Sequence, residues 1–194
     1  MGTMTQDEVL GAFQKTEALL TGHFELRSGL HSDRYFQCAR VLQWPVITAR
    51  LCGELAARVK AAGIGCETVI SPAMGGLFIG HELARTLEKR SIFTEKEKGS
   101  EKLVLRRGFT VGKGERFLVA EDVVTRGGRV QETIDIVRGL GGVVTGVAVL
   151  VNRSAGSADF GVPLLSLLEL APVVWPPAEC PLCRGGSKPC HPGS

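Results

Sequence analysis

No apolar run in the chain approaches the roughly 20 residues that a helix needs to cross a bilayer, so no membrane span is expected. Blocks of like charge are missing too. The 23 basic and 20 acidic residues leave a net charge of only +3. The basic ones are spread along the chain, which gives little support to a nucleic-acid or membrane-surface role. Near the amino end, Gln6, Asp7 and Glu8 stand where a secretory signal would have a basic start and an apolar centre, and a cytoplasmic protein is expected. In that reducing compartment the six cysteines do not read as a disulfide framework. Cys38, Cys52 and Cys66 fall in core or near-core segments and read as buried thiols.

What is present is ordinary globular material. With 194 residues, 44% apolar and 22% charged, the chain suits one domain with a small appendage, large enough to bury a real core. Thr5-Gln-Asp-Glu8 is a capping box, and Val9, Phe13 and the Leu19-Leu20 pair continue an apolar stripe, predicting a first helix. Residues 22–36 alternate around Phe24 and Leu26 and turn at Ser28-Gly29, as two short strands would. Pro45 opens a helix with Leu51, Leu55 and Val59 four apart, stopping at Ala62-Gly63. Buried strands are predicted over 67–71, 143–151 and 164–170. The first leads through Pro72-Ala73-Met74-Gly75-Gly76 into a helix carrying Leu77, Leu83 and Leu87.

The most informative stretch runs from Phe117 to Val130. Phe117 to Ala120 is apolar without alternation, as in a parallel strand buried on both faces. Glu121 and Asp122 cannot lie unpaired in a core, so the strand is expected to end there, at the carboxyl edge where open α/β sheets bind ligands. Thr125 then offers a hydroxyl, and Gly127 and Gly128 permit close backbone approach. Val130, Ile134 and Val137 mark one face of a helix whose positive end adds to an anion site. The loop suits a phosphate monoester; the carboxylates suit sugar hydroxyls or a Mg²⁺-bound water.

This pattern of apolar run, Glu-Asp, Val123-Val124, Thr125 and Gly127-Gly128 resembles the phosphoribosyl pyrophosphate (PRPP) motif of type I phosphoribosyltransferases. Family members commonly carry small or hydroxyl residues where this chain has Arg126 and Arg129, which either add phosphate affinity or point outward. Residues 24–36 fit Phe-x-Leu-x-Ser-Gly-x-x-Ser-x-x-Tyr-Phe, and so resemble the amino-terminal signature of orotate phosphoribosyltransferases. The resemblance implies an α/β fold of the type I phosphoribosyltransferase kind, a central mostly parallel sheet flanked by helices. It divides one domain, 1–194, into a hood to about residue 45, a core from about 46 to 171 and a cysteine-containing tail over 172–194.

By that resemblance the PRPP site comprises residues 121–129 with Met74 and Gly75, where glycine replaces a common lysine. Arg27, Tyr35, Phe36, Thr125 and Arg153 would meet orotate, Arg153 through the orotate carboxylate. Magnesium would be carried on PRPP rather than held directly by side chains. The charged stretch 94–109 reads as a lid, commonly shared across a homodimer in the family. Lys96, Lys98 and Lys102 would meet the leaving pyrophosphate, and with Asp122 they form the expected catalytic set. The implied reaction joins orotate and PRPP to give orotidine 5′-monophosphate and pyrophosphate. In the tail, Cys180-Pro-Leu-Cys183 is half of a zinc site, with Cys190 the next candidate ligand, since Cys190 and the adjacent His191 cannot easily both bind one ion. Free thiols or a disulfide are the alternative reading.

Overall fold

The computed structural model describes residues 4–26, 28–170 and 173–192. Thr5 caps the first helix, α1 (Gln6–Lys15), through the expected box: its hydroxyl accepts from the Glu8 amide at 3.2 Å, and Glu8 accepts from the Thr5 amide at 2.8 Å. The helix ends there. Leu19-Leu20 belongs instead to strand β1 (Leu19–Glu25), which pairs antiparallel with β2 (His31–Phe36). The apolar pair suited either element, and hairpin pairing decided it. A four-residue helix, α2 (Ala39–Leu42), leads to α3 (Pro45–Ala61), which begins on its proline as expected.

The core alternates strand and helix: β3 (Thr68–Pro72), α4 (Gly76–Leu87), β4 (Arg90–Lys96), β5 (Leu103–Leu105), β6 (Arg116–Val124), α5 (Gly128–Gly139), β7 (Val143–Asn152) and β8 (Leu164–Glu169). Its six strands lie in the order β5-β4-β3-β6-β7-β8, parallel except for the β4–β5 pair. Along β6, Phe117 and Val119 enter the apolar cluster beneath α5, whereas Leu118 and Ala120 enter the cluster built with α1, α3 and α4. All four are completely buried. That explains the absence of alternation in the sequence: both faces of this strand are covered.

The chain leaves β3 toward β4 on one side and leaves β6 toward β7 on the other, although β3 and β6 are neighbours. Diverging connections open a crevice at the carboxyl ends of the two strands, the usual ligand position in an open α/β sheet. Across from it stands the hood. Its sheet has a third strand from the tail, β9 (Val174–Trp175), paired antiparallel with β2. A last short helix, α6 (Pro181–Arg184), follows.

Candidate active site

A cleft of about 1040 Å³ occupies that crevice. One wall is the loop after β3, with Met74 and Gly75; the floor is residues 121–130; the far side carries Tyr35, Phe36 and Arg153. Thus the PRPP candidates and all the described orotate candidates line a single cavity. Arg27 lies outside the described residues.

The strand does not end before the acids. β6 continues through Val124, and Glu121 is only 8% exposed. The Asp122 amide donates to Glu121 at 3.2 Å, and the Val123 amide donates to Asp122 at 2.7 Å. Burial is the main cause that pushes the Glu121 carboxyl well above the ordinary carboxylate range, and the Asp122 charge adds to it. Burial also raises Asp122, opposed by the hydrogen bonds it accepts. The strand runs on through its pairing with β7, where Glu121 stands opposite Val149 and Val123 opposite Val151.

Beyond Val124 the chain turns at Gly127, which has φ +74° and forms the cap of α5. A Cβ there would lie 2.6 Å from the ring of Phe160, so both backbone conformation and space demand glycine. The turn aims the amino end of α5 into the cleft, where its first amides can meet an anion. On the opposite wall, a Cβ on Gly75 would stand 3.1 Å from an Asp122 oxygen. The glycine in this loop therefore keeps side chains off the carboxylate.

Arg153 follows the end of β7, its amide bonded to the Val124 carbonyl at 2.8 Å. Its guanidinium lies 5.5 Å from the centre of the Phe36 ring, and Phe36 in turn packs edge-on against Phe13 at 6.1 Å. Burial lowers the arginine from its ordinary value, yet an arginine stays charged. Its buried Nε has no hydrogen-bond partner among the described residues. A buried Nε–H without a partner, on a half-buried guanidinium beside an aromatic face, is costly by itself. It suits a planar anion.

Comparison with known proteins agrees with this geometry. Residues 39–160 match the family model of the phosphoribosyl transferase domain. The chain is 52% identical to the orotate phosphoribosyltransferase of Heliobacterium modesticaldum, over 98% of this chain and 99% of that one. It belongs to the orotate phosphoribosyltransferase family. The relative of the same name from Desulforamulus reducens is 51% identical over 98% of each chain. Among solved structures, orotate phosphoribosyltransferase from Aeropyrum pernix aligns with a TM-score of 0.72 at 27% identity, covering 84% of this chain and 93% of that one. An adenine phosphoribosyltransferase from Thermoanaerobacter pseudethanolicus, at 18% identity and a TM-score of 0.61 over 71% of this chain and 88% of that one, shares the fold.

The three lid lysines are placed elsewhere. The charged stretch forms a hairpin of β4 and β5, with Lys98 in its turn; neither Lys96, Lys98 nor Lys102 lines the cleft. Lys96 bonds to Glu101 at 2.7 Å, and Arg107 holds Glu95 at 2.8 Å. Arg129 also reaches Glu101, at 3.0 Å, and Glu132 at 3.0 Å. Arg129 thus lines the cleft while tying the start of α5 to the hairpin tip. Arg126 is exposed on the rim.

In the tail, the expected Cys180, Cys183 and Cys190 trio is not assembled. Cys190 is exposed, held by backbone bonds to His23 (2.9 Å) and Glu25 (3.0 Å) beside β1. His191 instead meets Glu25 at 3.1 Å. Cys180 and Cys183 turn toward two hood histidines, His23 and His31, which the sequence reading did not select. Their signal was their position on the two arms of one hairpin. Cleft residues Ser28, Gln37, Cys38, Ser154 and Val174 were likewise not singled out. They lie in loops, or in a strand whose position depends on distant pairing.

Proposed function

We propose that this chain transfers the phosphoribosyl group of PRPP to orotate, giving orotidine 5′-monophosphate and pyrophosphate in pyrimidine nucleotide synthesis. The observation that carries the reading is the shared cleft. It joins an arginine with an orphaned buried nitrogen, an aromatic ring beside it, one buried and one half-buried acid and a helix amino end on one cavity.

In this reading the amides of 125–128 and the first turn of α5 hold the 5′-phosphate. Glu121 and Asp122 accept from the ribose hydroxyls, and the loop at Met74 and Gly75 offers main-chain N–H groups to the pyrophosphate. Tyr35, Phe36 and Thr125 position the orotate ring and Arg153 pairs with its carboxylate; Arg27 is assigned to orotate on the family resemblance alone. No protein nucleophile is required, since orotate supplies the attacking nitrogen. The side chains hold the reactants in line and stabilise charge as the anomeric carbon gains oxocarbenium character.

Magnesium suits this donor set, because the carboxylates facing the cleft are hard oxygen ligands and the PRPP oxygens are too. Bound on PRPP, the ion would neutralise charge on the departing pyrophosphate. Lys96, Lys98 and Lys102 would act after the hairpin closes, in a homodimer over the neighbouring subunit's cleft. For Lys96 this means exchanging Glu101 for a phosphate oxygen. The working compartment is the cytoplasm.

The test is loss of orotate absorbance when the purified chain meets orotate, PRPP and Mg²⁺, with adenine, hypoxanthine and uracil in parallel. Turnover of orotate alone is expected. Turnover of another base in preference, or of none, would overturn the assignment.

A further inference from the structure

We propose that His23, His31, Cys180 and Cys183 form a structural zinc site that clamps the tail to the hood. The four ligand atoms lie within 4.8 Å of one another. His23 Nε2 stands 3.0 Å from His31 Nδ1, 3.4 Å from the Cys180 sulfur and 3.7 Å from the Cys183 sulfur; Cys183 lies 3.3 Å from His31 Nδ1. A tetrahedron with Zn–S of about 2.3 Å and Zn–N of about 2.0–2.1 Å has edges of roughly 3.3–3.8 Å. The cluster is already near that size.

Each part is held from outside. Cys180 and Cys183 sit at the two ends of one tight turn, where the Arg184 amide donates to Cys180 at 3.2 Å and the Gly186 amide to Cys183 at 2.9 Å. Gly186, at φ +81°, bends the chain back so that Ser187 lies beside His23. His23 Nδ1 contacts the Ser187 carbonyl at 3.1 Å. A ring nitrogen facing a carbonyl must donate, which leaves the Nε2 lone pair aimed at the cluster, the usual outer support of a metal-bound histidine. The two histidines come from paired strands, with His31 opposite Glu25.

Burial fits an ion as well. Cys180 is fully buried, and His31 and His23 are 5% and 6% exposed. Two thiolates and two neutral imidazoles offset the charge of Zn²⁺, so the ion could be held in this buried place as a neutral unit. With four protein ligands no coordination position remains open, which marks a structural rather than a hydrolytic centre. The hairpin turn between the histidines carries Leu26, Ser28 and Leu30, and the tail carries Val174; all four line the cleft. The clamp therefore fixes the hood side of the substrate site.

The test measures metal in the full chain, purified without a polyhistidine tag from zinc-supplemented cells. About one zinc per chain is expected by mass spectrometry, and exchange with Co²⁺ should give thiolate charge-transfer and tetrahedral ligand-field bands. Cys183→Ser and His31→Gln should each lose most of the bound metal, whereas Cys190→Ser should retain it. Folded wild-type protein with negligible zinc and no such cobalt spectrum would overturn the proposal, whatever the variants do. So would stoichiometric metal that persists in both Cys183→Ser and His31→Gln.

Discussion

The cleft floor and the β4–β5 hairpin carry charge in opposite ways. On the floor, Glu121 is buried and Asp122 half-buried, and burial raises both carboxyls; across from them the buried Nε of Arg153 has no partner among the described residues. On the hairpin, Lys96, Glu101, Glu95 and Arg107 are paired, and Glu101 is 81% exposed. Exposed pairs of this kind are screened by solvent and exchange partners easily. Buried unsatisfied groups cost more and are retained where a ligand will complete them. One region sets its charged groups against a packed core; the other leaves them paired in solvent.

The comparison can be broken most strongly at the acids. Combined Glu121→Gln and Asp122→Asn should lower orotidine 5′-monophosphate formation by about 10²-fold or more, measured as kcat/KM for PRPP, because the negative charge that strengthens the bonds accepted from the ribose hydroxyls in the transition state is removed. Next, Arg153→Gln should reduce kcat/KM for orotate by about 10–100-fold through loss of a charged bidentate contact, while PRPP binding by calorimetry stays within a few-fold. On the hairpin, the triple change Lys96→Ala, Lys98→Ala and Lys102→Ala should lower kcat far more than PRPP affinity; unchanged turnover would remove the hairpin from the mechanism. The smallest effect is expected at Glu101→Gln, which removes the charge paired with Lys96 while Arg129 keeps Glu132, and should shift KM for PRPP by less than about threefold.

Local chemistry was legible in the sequence wherever neighbours along the chain decide the structure. The capping box at Thr5, the Pro45 helix start and the glycine turn at 127 are of this kind. So was the candidate cleft, because strand-end acids followed by glycines place themselves at a sheet edge. Decisions made across the fold were hidden. Leu19-Leu20 became strand through pairing with β2, and β9 joined the hood from the far end of the chain. β6 ran on past Glu121 through its pairing with β7, a partner that the two acids do not announce. Cys180 and Cys183 found histidines more than 150 positions away.

The central claim is that the floor acids are held for substrate at the expense of the empty protein's stability. Because burial raises both carboxyls, the penalty grows as pH rises above the ordinary carboxylate range and fades as pH falls into it, where folded and unfolded chains are both protonated. The direct measurement is the melting temperature of the ligand-free Glu121→Gln, Asp122→Asn variant against wild type, followed from neutral to acidic pH. The account predicts a rise of about 2–4 °C at neutral pH that shrinks on acidification. A melting temperature lower than wild type at neutral pH would contradict it.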